Sequence, residues 1–199
     1  MALKYAVNNS LSAITSLPSS ISGGALNLIS TQTASASASL EFSMDGTYDS
    51  YVFKFINIHP QNDGVRFQFN LSTDNGSNYN VTKTTTFFYA YHGEADSPAG
   101  LGYEGALDLA QSTGFQPLSN STANTSSKNV SGNLQLFNPS SSVFVKHFIG
   151  IINSADNYPI SVNSFIAGYG NTTSPVTNIK FQFSSGNIDD GIIKMYGVV

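Results

Sequence analysis

The chain has 199 residues and a mass of 21.2 kDa, the size of one domain with room for an arm. Charged residues make up only 10% of it, the formal net charge is -4, and cysteine is absent. That composition excludes a basic nucleic-acid surface, disulfides, cysteine zinc sites and thiol catalysis.

No run approaches the ~18 apolar residues of a membrane helix, so no membrane partner is expected. Met1 to Ser20 carries one lysine and no continuous apolar run, which does not fit a signal peptide. Ser, Thr, Asn and Gly replace the missing charge, alongside 10 Tyr and 14 Phe. Asn-x-Ser/Thr triplets at Asn70, Asn80, Asn120 and Asn171 follow from that composition and are not read as glycosylation sites.

Residues 8–39 contain no charged residue, and Pro18 and Gly23-Gly24 break any helix there. Such a segment buries too little apolar surface to fold alone. Residues 1–38 are therefore predicted to be an extended N-terminal arm ordered by neighbouring copies or a larger assembly. Leu11, Ile14, Leu17 and Ile21 are its expected interface residues. The alternative is that the arm packs on its own domain as an extra strand.

From Ser39 the pattern has period two. Leu40, Phe42 and Met44 share one face of a predicted strand that Asp45-Gly46 ends. Tyr51 to Ile58 is apolar on both faces and predicts a central strand covered on both sides. Val65 to Ser72 alternates, with Val65, Phe67, Phe69 and Leu71 inward, and Asp74-Asn75-Gly76 marks a turn. Val81 to Tyr91 predicts the next strand. Gly93 to Gly102 reads as a loop, Glu104 to Gln111 as about two turns of helix, and Phe115 to Asn129 as a long polar excursion. Strands resume at residues 132–137, 143–152, 161–169, 176–184 and 191–198, with a hairpin loop over 185–190. The last strand places the C-terminus within a sheet. Short strands at this spacing predict an all-β fold: an antiparallel β-sandwich, most simply a jelly roll, over residues 39–199.

Chemistry-bearing clusters are few. His59, His92 and His147 lie in separate segments without metal-ligand spacing, so no metal site is expected. A glycosidase needs two carboxylates flanking a sugar, and no pair is marked, Glu41 with Glu94 included. Asp45, Asp49 and Asp63 suit turns better than calcium. No Gly-x-Ser-x-Gly elbow or phosphate loop occurs, so no catalytic residue and no cofactor is assigned. Tyrosines near loops, namely Tyr48, Tyr79, Tyr103, Tyr158 and Tyr169, are the candidates for a sugar platform or subunit interface.

Three segments carry a resemblance. Leu28 to Phe42 (LISTQTASASASLEF), Tyr48 to Pro60 (YDSYVFKFINIHP) and Gly186 to Gly197 (GNIDDGIIKMYG) together resemble a β-sandwich domain of tailed-phage virion proteins, of the marine and cyanobacterial phage type. In that family a strand opens with Tyr-Asp-x-Tyr, here Tyr48, Asp49 and Tyr51. The chain closes with Gly-x-Ile-x-hydrophobic-Tyr-Gly, here Gly191, Ile193, Met195, Tyr196 and Gly197. The resemblance spans residues 25–92 and 176–199. It implies a non-enzymatic structural or attachment role on the virion exterior, with no catalytic residues to carry over. The expected role is a capsid decoration or head-fibre subunit, a trimer of identical copies that docks on major capsid or tail proteins through its arm. A tail-fibre or tail-tip module that binds host surface glycans is the alternative. The chain departs from long fibres in having no coiled-coil or repetitive shaft before the domain.

Overall fold

A computed structural model describes residues 25–156 and 158–199. Within them the fold is all-β, an antiparallel sandwich of two sheets. The strands are β1 (Leu26–Ser37), β2 (Leu40–Ser43), β3 (Ser50–Pro60), β4 (Phe67–Ser72), β5 (Lys83–Gly93) and β6 (Ala99–Tyr103). They continue as β7 (Gln116–Pro117), β8 (Val130–Phe137), β9 (Lys146–Ala155), β10 (Ile160–Gly170), β11 (Asn178–Phe183) and β12 (Ile188–Val198).

The large sheet runs β1-β12-β3-β8-β9-β10-β5-β6, and the small sheet runs β2-β11-β4-β7. The successive pairs β1/β2, β3/β4, β7/β8 and β11/β12 are each split between the layers, which is the jelly-roll order. The β5-β6 and β9-β10 hairpins are additions that widen only the large sheet, so it overhangs the small one. The loop between β6 and β8 continues the cover beneath that overhang. Its Leu107 and Leu118 are buried, and Leu118 lies close to Gly150 of β9.

Period-two alternation builds the core. Phe67, Phe69 and Leu71 of β4 and Ile179, Phe181 and Phe183 of β11 face Phe53 and Phe55 of β3. Phe181 is the hub, with ring centroids 5.3 Å from Phe53, 5.1 Å from Phe55 and 5.9 Å from Phe67. Each fully buried ring contributes about 1.5–3 kcal/mol.

Several expectations are corrected. Residues 26–37 of the expected arm form β1, paired antiparallel with β12 from Leu26↔Val198 to Ser37↔Ile188. The segment is extended as expected, but its partner is the chain's own last strand. Leu11, Ile14, Leu17 and Ile21 lie outside the described residues. As expected, β12 is interior, flanked by β1 and β3.

Residues 185–190 do not close a hairpin, because β11 and β12 lie in different sheets and the connection crosses between layers. Residues 104–111 form no helix. Their backbone bonds outward instead, with Thr85 N–H donating to Leu109 O at 2.9 Å and Glu104 N–H to Phe87 O at 2.9 Å. The predicted loop at 93–102 contains most of β6, which pairs with β5. Finally, β3 is central in its sheet yet covered on one face only. Tyr51, Phe53 and Phe55 are buried, while Lys54 and Ile56 are exposed.

The two glycines of the closing motif have structural reasons. Gly191 sits at a bulge between β12 and β3, with φ +124° and Asn57 opposite. An added Cβ there would stand 2.7 Å from Asn57 O. Gly197 lies under the ring of Tyr48.

Candidate functional site

The predicted tyrosines do not form one platform. Tyr48 packs edge-on against Tyr51 at 5.9 Å and accepts a hydrogen bond from Asn27 Nδ2. Tyr79 donates to Glu41 Oε2 at 2.8 Å, and Lys180 Nζ lies 4.2 Å from its ring centroid. Burial, then the Glu41 carboxylate, push the Tyr79 phenol well above its ordinary range. Tyr103 is exposed and donates to Asp108 Oδ2 at 2.5 Å, and Tyr169 tilts against His147. Of these five, only Tyr158 borders the recess between β5, β10 and the β7–β8 connection.

That recess has a volume of about 460 Å³ and opens beneath the overhang of the large sheet. Inward alternation on β5 and β10 supplies Tyr89, Tyr91, Ile160 and Val162. The β7–β8 connection supplies Asn120 and Ser121, and the β9–β10 turn supplies Asp156 and Tyr158.

A glycine of β6 admits one of the two strand tyrosines. Gly100 is paired with Tyr91 and Gly102 with Tyr89. An added Cβ at Gly100 would stand 2.8 Å from Tyr91 Oη, so a larger residue would displace the ring. The rings of Tyr89 and Tyr91 lie 5.9 Å apart at 33°. Asp156 is buried, and its Oδ1 accepts the backbone N–H of Tyr158 at 3.2 Å. Among the described residues no lysine, arginine or histidine lines the recess. Sequence reading missed Tyr89 and Tyr91 because they sit inside a strand; the alternating Gly of Ala99–Tyr103 was the available signal.

A second surface is the outer face of the overhang. The register aligns Ile151, Phe165, Phe88 and Tyr103 across β9, β10, β5 and β6, so they share one face. Phe88 and Phe165 stack with centroids 4.8 Å apart at 8°. Ile149, Ile151 and Phe88 are 51%, 44% and 41% exposed, and Leu101 is 74% exposed. The outward positions of these four strands include no Asp, Glu, Lys or Arg.

The charged groups are engaged elsewhere. Glu41 pairs with Lys180 at 2.8 Å and Glu94 with Lys128 at 3.4 Å, so the two carboxylates do not face one another across a cleft. Asp45 accepts the Thr47 N–H and the Tyr51 hydroxyl, both at 3.0 Å, the first as turn residues do, whereas Asp63 accepts the N–H of the distant Asn124 at 3.1 Å. Among the described residues no three His, Cys, Asp or Glu side chains gather as metal ligands.

Lys83 is buried in the core, its ammonium donating to Asn70 Oδ1 at 2.5 Å and to Val81 O at 2.8 Å. Burial pushes its pKa down to about 7. Lys146 is also buried, with its ammonium held by the carbonyl oxygens of Ser141, Phe144 and Thr172.

Comparison with protein families, with curated proteins and with solved structures finds no match to this chain.

Proposed function

We propose that the chain is a non-enzymatic structural subunit of a tailed-phage virion exterior. In this reading it is a capsid decoration or head-fibre protein that assembles with copies of itself, as a trimer, and docks on capsid or tail proteins through residues 1–24. The observation that carries the self-assembly is the uncharged apolar face around Phe88, Phe165 and Ile151. Exposed apolar area of this kind marks an interaction surface. A partner recognised by charge finds nothing to pair with there, whereas a second copy meets no like-charge repulsion despite the net charge of -4.

The virion assignment is tested on particles. A density map of the intact virion is expected to place the chain on the outside of the head. Deleting residues 2–24 leaves the twelve described strands intact and is expected to abolish incorporation. Full occupancy by the truncated chain would overturn docking through that segment, and its absence from purified virions would overturn the assignment.

A second reading, a tail-fibre or tail-tip module that binds host glycans, is favoured by the tyrosine-lined recess under the overhang.

A further inference from the structure

We propose that the recess bounded by Tyr89, Tyr91 and Tyr158 is a binding site for an uncharged pyranose sugar. The proposal rests on the glycan-binding reading and is independent of self-assembly through the outer face. A pyranose presents an apolar C–H face and a rim of hydroxyls. Three tyrosines offer flat apolar area with polar tips, and the Asn120 side-chain amide adds a donor and an acceptor at the border. The volume, about 460 Å³, falls within the range of small-ligand sites.

The lining also discriminates. Among the described residues no cationic side chain lines the recess, so a phosphate, sulfate or uronate would find no counter-charge in its wall. An apolar ligand would cover the tyrosine hydroxyls and the Asn120 amide without offering them hydrogen bonds, which costs binding energy. A neutral sugar satisfies both halves of the surface.

The site is held open before any ligand arrives. Tyr91 lies across the bare backbone of Gly100, its cross-strand partner, which fixes where that ring goes, and Tyr89 packs against the core. The Asp156 bond to the Tyr158 N–H braces the turn that carries the third ring. Preorganised rings lose little freedom on binding. Tyr158 is 69% exposed and contributes no core packing, so it can be truncated without cost to the fold.

The test presents the full chain to an array of neutral, amino and acidic glycans, then titrates methyl glucoside, methyl galactoside and N-acetylglucosamine by saturation-transfer NMR. Binding to neutral sugars is expected. Tyr158→Ala and Tyr91→Ala are each expected to weaken it about tenfold or more, with unchanged oligomeric mass. Because Tyr91→Ala perturbs a strand, Tyr158→Ala with an unchanged melting temperature is the deciding variant. Neutral-sugar binding that survives Tyr158→Ala at full strength overturns this site while leaving the glycan reading in place. Binding to acidic glycans alone overturns the sugar class. No glycan binding at millimolar concentration overturns both the site and the reading.

Discussion

The ring of Tyr48 lies flat on the backbone of Gly197. An added Cβ on that glycine would stand 2.4 Å from the ring carbons of Tyr48. Tyr48 precedes β3 and Gly197 lies near the end of β12, and the fold brings them together because Gly197 is paired with Tyr51 on one side and Asn27 on the other. Tyr48 thus crosses the last strand and reaches the Asn27 side chain on the edge strand β1. Gly197→Ala is expected to displace the ring and lower stability by about 1–3 kcal/mol, the cost of overpacking. Urea unfolding followed by circular dichroism measures it; an unchanged midpoint would show that the ring moves aside freely.

Phe181 gives the largest expected loss. It is fully buried and packs against rings from β2, β3 and β4, Phe42, Phe53, Phe55, Phe67 and Phe69 among them. Phe181→Ala is expected to cost about 3–5 kcal/mol, through lost transfer energy and a residual cavity. The denaturation midpoint reports it, provided the slope stays constant.

Lys83 predicts a pH dependence. Its pKa falls from 10.5 to about 7 in the folded chain, because burial disfavours the ammonium and, among the described residues, no carboxylate forms an ion pair with it. Between those two values the unfolded chain holds a proton that the folded chain lacks. Stability therefore rises with pH across that window, by up to ~1.4 kcal/mol per pH unit, and the contribution is flat below about pH 7. Lys83→Met removes the slope. Unfolding both chains from about pH 7 to about pH 9.5 checks it. A wild-type-minus-variant difference that stays constant over that range would contradict the depressed lysine.

Much of the sandwich is legible in the sequence, because a half-buried strand writes its burial as alternation. Leu40 and Phe42 show it, and Phe67, Phe69 and Leu71 face inward as read, but Asn70 and Ser72, which the pattern places outward, are buried as well. Two things are not written that way. Which sheet a strand joins depends on long-range pairing, so β11 and β12 read as a hairpin although they belong to different layers. Strand β6 reads as a loop because its inward residues are Gly100 and Gly102, which put no side chain in the core; Gly100 leaves room for Tyr91 opposite. The recess shares that illegibility: Tyr89 and Tyr91 look like ordinary strand residues until the large sheet is seen to overhang the small one. Residues 26–37 read as extended, but nothing local distinguishes pairing with β12 from pairing with another copy.

The face around Phe88 and Phe165 carries the account's central claim, self-association without charge. Sedimentation equilibrium of the purified chain tests it most directly, beside a Phe88→Glu/Ile151→Glu variant. Both substitutions lie on the solvent side and leave the core untouched. The wild type is expected to sediment at three times the chain mass of 21.2 kDa, and the variant as a folded monomer. A wild-type monomer at tens of micromolar, or an oligomer that the two glutamates leave intact, would contradict it.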